Sequence, residues 1–412
     1  MQHQQLIPHL FRSEYRKIVS VLAKRFGFDH LATAEDIASD TFLTAAQTWA
    51  LKGLPENPTA WLYHVAANKA KNHVQRDLLF KGKISKDIQH ELSTAGGIPP
   101  DDTVDLSPQS IDDSQLQMMF AICHPSISPE AQIGLSLRIL CGFGIDEIAD
   151  AFLTNRETIN KRLFRARERL REEKIPIELP SPADIDSRLE TVLTTIYLLF
   201  NEGYYSISND TTLRKDFCLE AIRLCHMLTD NPSTDKPPVN ALLALMCFHA
   251  SRFEARIDSK GEIVLYDDQD TSLWNAELIG RGAHYLHRST NTDRLSRYHL
   301  EATIAFWSTQ KTDSHEKWEN ILQLYNRLLQ FHYTPIAALN RTYALAKANG
   351  NRAAIGEAEK LRLTDNHFYF VLLGELYTDI DHSRALEHFR QALTLAKTPA
   401  DRHAIQRKID QF

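Results

Sequence analysis

Residues Gly142 to Arg171 read GFGIDEIADAFLTNRETINKRLFRARERLR. Ile145, Ile148, Ala149 and Phe152 fall on one side of a short helix, and small Ala149 permits a neighbouring helix to come close. A turn, Leu153-Thr154-Asn155, follows. Ile159, Leu163, Ala166 and Leu170 then recur at the spacing of a buried stripe on a second helix. A short helix, a tight turn and a second helix make a helix-turn-helix. The other face of the second helix carries Arg156, Glu157, Asn160, Lys161, Arg165 and Arg169. In a major groove, Arg and Asn pair with base edges, while Lys and later Arg residues neutralise phosphates. A charged helix is more commonly just a solvated face, so the rest of the chain has to decide between the two.

Two breaks flank further helical patterns. Residues 93–113, STAGGIPPDDTVDLSPQSIDD, are rich in Gly, Pro, Ser and Asp and read as a flexible linker. Ile175 to Pro182 holds three prolines and interrupts any helix. The expected organisation is therefore a helical domain over 1–92, a linker over 93–113, the helix-turn-helix domain over 114–174, and a long helical domain over 183–412. In the first, Phe11, Tyr15, Ile18, Val19 and Leu22 form one apolar stripe. Thr33 is the expected N-cap of the next helix, with Ile37, Phe42, Leu43 and Ala46 directed inward. Pro55 and Pro58 mark a loop, and Thr59 opens a further helix. Only Glu262 to Asp268, EIVLYDD, resembles a strand, as a small hairpin or an extended loop. The fold class is all-α.

Composition narrows the function. The 412 residues carry a formal charge of −6 with 43% hydrophobic and 24% charged side chains, an ordinary globular balance without a general basic coat. No apolar run reaches the length that crosses a bilayer, and the N-terminus lacks a signal-peptide pattern, so a cytoplasmic protein is expected. The five cysteines are widely spaced among apolar residues and read as reduced core thiols. No phosphate-binding glycine loop, Cys/His cluster or metal-binding helix signature is present, so neither an enzyme nor a cofactor is expected.

Taken together, AEDIASDTFLTAAQTW (34–49), NPTAWLYHVAANKAKNHVQR (57–76) and FLTNRETINKRLFRARERL (152–170) resemble regions 2 and 4 of extracytoplasmic-function sigma factors of RNA polymerase. AICHPSISPEAQ (121–132), IYLLFNEGYYS (196–206) and DQDTSLWN (268–275) resemble a long subgroup with a tetratricopeptide-like C-terminal domain. The resemblance implies roles for particular residues. Asp36 and Asp40, four apart on one helix face, would dock on core RNA polymerase. One departure is Ser39-Asp40 where the family commonly has Gln-Glu; the shorter acid keeps the charge and changes its reach. Asn68, Lys69, Asn72 and Arg76 would hold the melted −10 element of promoter DNA, with Asn68 and the loop from Leu54 to Pro58 at the flipped base. Arg156, Glu157, Thr158, Asn160, Lys161, Arg162 and Arg165 would read the −35 duplex. Trp61 offers a stacking platform, although its spacing suits a core tryptophan better.

The C-terminal domain would regulate initiation or bind another protein, an anti-sigma or other regulatory protein among the partners the resemblance allows. Its last segment follows a repeat order: Phe370, Leu373-Gly374, Tyr377, Ala385, Phe389, Ala392 and Pro399. Leu339-Asn340, Tyr343, Ala354 and Ala358 form a weaker earlier unit. Asn201 and Gly203 read as a helix stop around Glu202 and Tyr204. His249, Arg252, Glu254, Arg256 and Asp258 crowd charge near Trp274, without the residue order or spacing of an active site. Two other readings compete with the sigma factor: a helix-turn-helix regulator that binds operator DNA, and an interaction scaffold. A plain regulator has no use for a second DNA-facing domain on a loose linker.

Overall fold

The computed structural model describes residues 2–84, 104–152, 154–205, 211–256, 264, 266–292, 294–396 and 399–412. It is all-α, with no strand among the described residues. The chain forms two compact units, Met1–Ser208 and Asn209–Phe412. In the strand-like stretch, residues 262–263 and 265 lie outside the described residues. There, Tyr266–Asp268 forms a single 3₁₀ turn and the Val264 N–H donates to the Arg256 carbonyl at 2.8 Å.

In the first unit, α1 (Gln2–Phe26), α2 (Leu31–Lys52) and α3 (Pro58–Ile84) pack on one another. Tyr15, Ile18, Val19 and Leu22 of α1 are buried with Ala38 and Phe42 of α2 and Leu62 and Ala66 of α3. Thr33 is not the N-cap of α2. Gly27, at φ 75°, ends α1, and a 3₁₀ turn over Phe28–His30 runs straight into α2, which therefore starts two residues before Thr33. Leu43 is not inward either: it is 56% exposed, because Ala45 and Phe42 occupy the core positions of that turn. The α3 start is set by Asn57, whose Oδ1 accepts the Ala60 N–H at 3.0 Å ahead of Pro58.

The next helix, α4 (Pro108–Ile122), begins inside the stretch read as linker. Ser107 caps it, accepting the Ser110 N–H, Pro108 stands at its first turn, and Ile111 is buried. Residues 93–103 of that stretch lie outside the described residues. After α5 (Pro129–Leu135) and a π turn over Ser136–Leu140 come α6 (Ile145–Ala151) and α7 (Arg156–Glu172), the two helices read from the sequence. The unit closes with α8 (Ile185–Tyr205), which packs on α4 and α5. Asn201 and Gly203 do not stop α8; the helix runs through them because Phe200, Gly203 and Tyr204 bury its last turn. Burial there raises the pKa of the Glu202 carboxyl.

The second unit is a succession of helices: α9 (Thr211–Asp230), α10 (Pro237–Ala250), the short α11 (Phe253–Arg256), α12 (Ala276–Arg288), α13 (Arg297–Ser308), α14 (His315–Phe331), α15 (Pro335–Asn349), α16 (Asn351–Leu361), α17 (His367–Tyr377), α18 (His382–Leu395) and α19 (Pro399–Ile409); α10 packs on both α12 and α13, and from α13 onward each helix packs on the next. In the pair α17–α18, Leu373, Tyr377, Ala385, Phe389 and Ala392 are buried. A Cβ on Gly374 would lie 2.7 Å from the Phe389 ring, so only glycine lets that ring seat on α17. All five cysteines are buried and none is disulfide-bonded. No described helix is long and apolar enough to cross a membrane.

Candidate nucleic-acid interface

The second helix of the helix-turn-helix, α7, is positioned from both sides. Its N-cap is Asn155, whose side chain accepts the Thr158 N–H at 2.8 Å. Ahead of it, the Glu147 carboxylate accepts the Gly144 N–H at 2.7 Å and fixes the entry to α6. Ile159, Leu163, Ala166 and Leu170 are all buried, as their spacing predicts. Gly134 of α5 faces Leu163 so closely that a Cβ there would lie 2.8 Å from its Cδ2. A lone glycine in an apolar run gave no sign of this contact in the sequence.

On the outer side of α7, Arg156, Glu157, Thr158, Asn160, Lys161, Arg165 and Arg169 are exposed. Arg156 reaches Asp146 at 3.3 Å and Lys161 reaches Glu157 at 2.6 Å, both across open surface where such pairs are weak and readily exchanged for phosphate. Arg162 is set apart: it is half-buried, with its guanidinium 5.6 Å from the centre of the Phe152 ring. Phe164 lies among the exposed residues and is 65% exposed. Apolar contacts to thymine methyl groups are part of base reading, so its place is relevant, and the sequence reading passed over it.

On α3, Asn68, Asn72 and Arg76 are exposed at four-residue spacing and so form one stripe. His64 extends it, with its Nε2 2.9 Å from the Asn68 amide nitrogen. Lys69 stands beside the stripe and pairs with Asp40 of α2. One of the residues expected at DNA is thereby paired with one expected at polymerase. Asp36 is exposed on the same helix. Trp61 is half-buried and meets the buried Trp49 edge-on, ring centres 5.3 Å apart, which is a packing role.

Glu35 of α2 is joined to α7 and to the π turn over Ser136–Leu140. Its carboxylate takes both Arg167 nitrogens, at 2.9 and 3.0 Å, and Arg138 Nε at 3.4 Å. Arg138 also sits 5.8 Å from the Tyr15 ring centre. The Tyr15 phenol has its pKa raised, first by burial and then by the nearby Glu35 charge. Among the described residues no group of His, Cys, Asp and Glu is arranged to hold a metal ion.

Comparison with known proteins gives two family matches, Sigma-70 region 2 over residues 10–77 and a family of unknown function, DUF6596, over residues 188–290. The chain is 30% identical over 389 residues to the uncharacterized protein R00370 of Rhizobium meliloti (strain 1021), covering 93% of this chain and 91% of that one. It is 33% identical over 81 residues to RNA polymerase sigma factor YlaC of Bacillus subtilis (strain 168), covering 20% of this chain and 46% of that one. No solved structure matches.

Proposed function

The chain belongs to the RNA polymerase sigma factors of the sigma-70 family, as a long form resembling the extracytoplasmic-function type, and from that premise we propose that it directs core RNA polymerase to its own set of promoters. The observation that carries this reading is the pairing of a region 2 match over 10–77 with a separate helix whose exposed face is Arg156, Asn160, Lys161 and Arg165. A sigma factor needs two DNA-facing surfaces because the −10 and −35 elements are far apart on the duplex.

In this reading the region 2 domain spans residues 1–92 and the region 4 domain residues 114–174. Asp36 and Asp40 meet the polymerase. Asn68, Asn72 and Arg76, with Lys69 exchanging Asp40 for a phosphate, hold the opened −10 strand. The N-terminal turns of α7, with Arg162 at their inner edge, enter the −35 major groove. The helices of 183–412, read as tetratricopeptide-like, serve regulation or a protein partner such as an anti-sigma protein, and the whole acts in the cytoplasm.

The test is run-off transcription of the source genome's DNA by core polymerase with and without the protein. New start sites that share spaced −35 and −10 elements support the proposal. Absence of both polymerase binding and new starts would move the reading to an operator-binding regulator or a scaffold.

A further inference from the structure

We propose that Arg252 and Trp274, at the turn after α10 and in the loop before α12, form a binding site for a small oxyanion. Arg252 is 9% exposed and Trp274 7% exposed. The Arg252 guanidinium lies 5.4 Å from the centre of the Tyr266 ring and 6.0 Å from that of Trp274. Its buried Nε has no acceptor among the described residues, and neither does the buried Trp274 Nε1. A buried guanidinium packed against aromatic rings with an unanswered Nε–H, and a second unanswered N–H on Trp274, together call for an acceptor of the kind that buried cations ordinarily take.

Two described acids on this side of the unit, Asp267 and Asp313, are committed to other groups. Asp267 takes Lys347 at 3.2 Å and the Tyr343 hydroxyl at 2.8 Å, while Asp313 takes the Trp318 indole N–H and stands 3.9 Å from the Lys317 Nζ. A second cation, Lys317, is buried at 2% exposure on the same Tyr266, 5.3 Å from its ring centre, and donates to the Tyr266 hydroxyl at 2.9 Å. The locus around Tyr266 thus brings two buried cations to one ring, Lys317 with Asp313 beside it and Arg252 with an unanswered Nε–H. The Gln269 Oε1, in the same loop, is buried without a donor, which a protonated oxygen or an accompanying water would supply. Carboxylate and phosphate share the chemistry required, acceptor oxygens for an Arg N–H and an indole N–H.

The full chain, in chloride buffer at fixed ionic strength, is titrated by calorimetry with inorganic phosphate and, separately, with acetate. Saturable binding of one of them is expected, and it names the class of headgroup. Arg252→Lys keeps the charge but loses the Nε–H, and weakens that binding by about tenfold or more. Trp274→Phe keeps the ring, loses only the indole N–H, and weakens it severalfold; it decides the matter if Arg252→Lys fails to fold by circular dichroism. The proposal is overturned if neither anion saturates, if added chloride gives the same heat, or if the folded variants bind like the parent protein.

Discussion

Arg167, on the helix whose other face is exposed and basic, holds Glu35 of α2 in a two-point ion pair at 2.9 and 3.0 Å across 132 positions of sequence. Both side chains are mostly buried, and Arg138 joins them on the same carboxylate. Two parallel charge-assisted bonds in a partly dry setting are worth more than an open-surface pair. Glu35→Gln is therefore expected to destabilise the first unit by about 1–3 kcal/mol in urea unfolding. An unchanged midpoint would mean the triad is incidental. The pair also ties α7 to α2, so initiation that needs these surfaces apart would have to break it.

Arg165 is the contrasting case on the same helix, exposed and without a role in that pair. Arg165→Ala should leave the unfolding midpoint unchanged and weaken duplex binding by about 1 kcal/mol, with the salt slope reduced by about one ion. Arg167→Ala should do the reverse, losing stability first. Binding isotherms at several salt concentrations distinguish the two, and equal effects would remove the division of labour on α7.

Reversing both charges at Asp36 and Asp40 to Lys is expected to abolish polymerase-dependent transcription while the protein stays folded. The Asp40 change also sets a lysine against Lys69, its partner in the free protein. Co-purification with core polymerase is the direct readout; retained binding would sink the assignment of this helix face to the polymerase.

Gly374→Ala should destabilise the second unit by about 1–3 kcal/mol, since the new methyl lands on the Phe389 ring. Combining it with Phe389→Leu should recover part of the loss in a thermal melt. A full-strength loss in the double variant would mean the ring is not what the glycine accommodates.

The second unit should lose stability as the pH falls below about 6.5, where unfolded histidines take up protons. His299 is buried and neutral: its Nδ1 accepts the Ser296 N–H at 3.0 Å, which leaves Nε2–H to donate to the Ser289 carbonyl at 3.1 Å. Burial holds its pKa below the ordinary 6.5, and His249 is lowered by burial with help from Arg252 and Arg256. A group with a depressed folded pKa costs nothing above 6.5. Below it, the unfolded chain binds the proton first and stability falls. His299→Gln should flatten that slope in urea titrations at pH 5 to 7, and an unaltered slope would exclude His299 as a source.

Periodicity alone made the all-α fold legible, because a helix repeats its buried face every three to four residues and the chain shows that spacing almost throughout. Ile159, Leu163, Ala166 and Leu170, and Ala385, Phe389 and Ala392, were readable in this way, as were the exposed polar stripes opposite α7 and along α3. Tertiary packing decided what no local pattern encodes. It turned Leu43 outward and carried α8 through Asn201 and Gly203, whereas the helix start at Pro108 is a local Ser107 cap hidden in a composition that reads as linker. Packing also chose the charge partners, giving Lys69 to Asp40 and Arg167 to Glu35 while setting the Arg252 guanidinium against the Tyr266 and Trp274 rings. The physical reason is range: which face a helix buries is written in neighbouring residues, whereas which charge meets which depends on helices far apart in the chain.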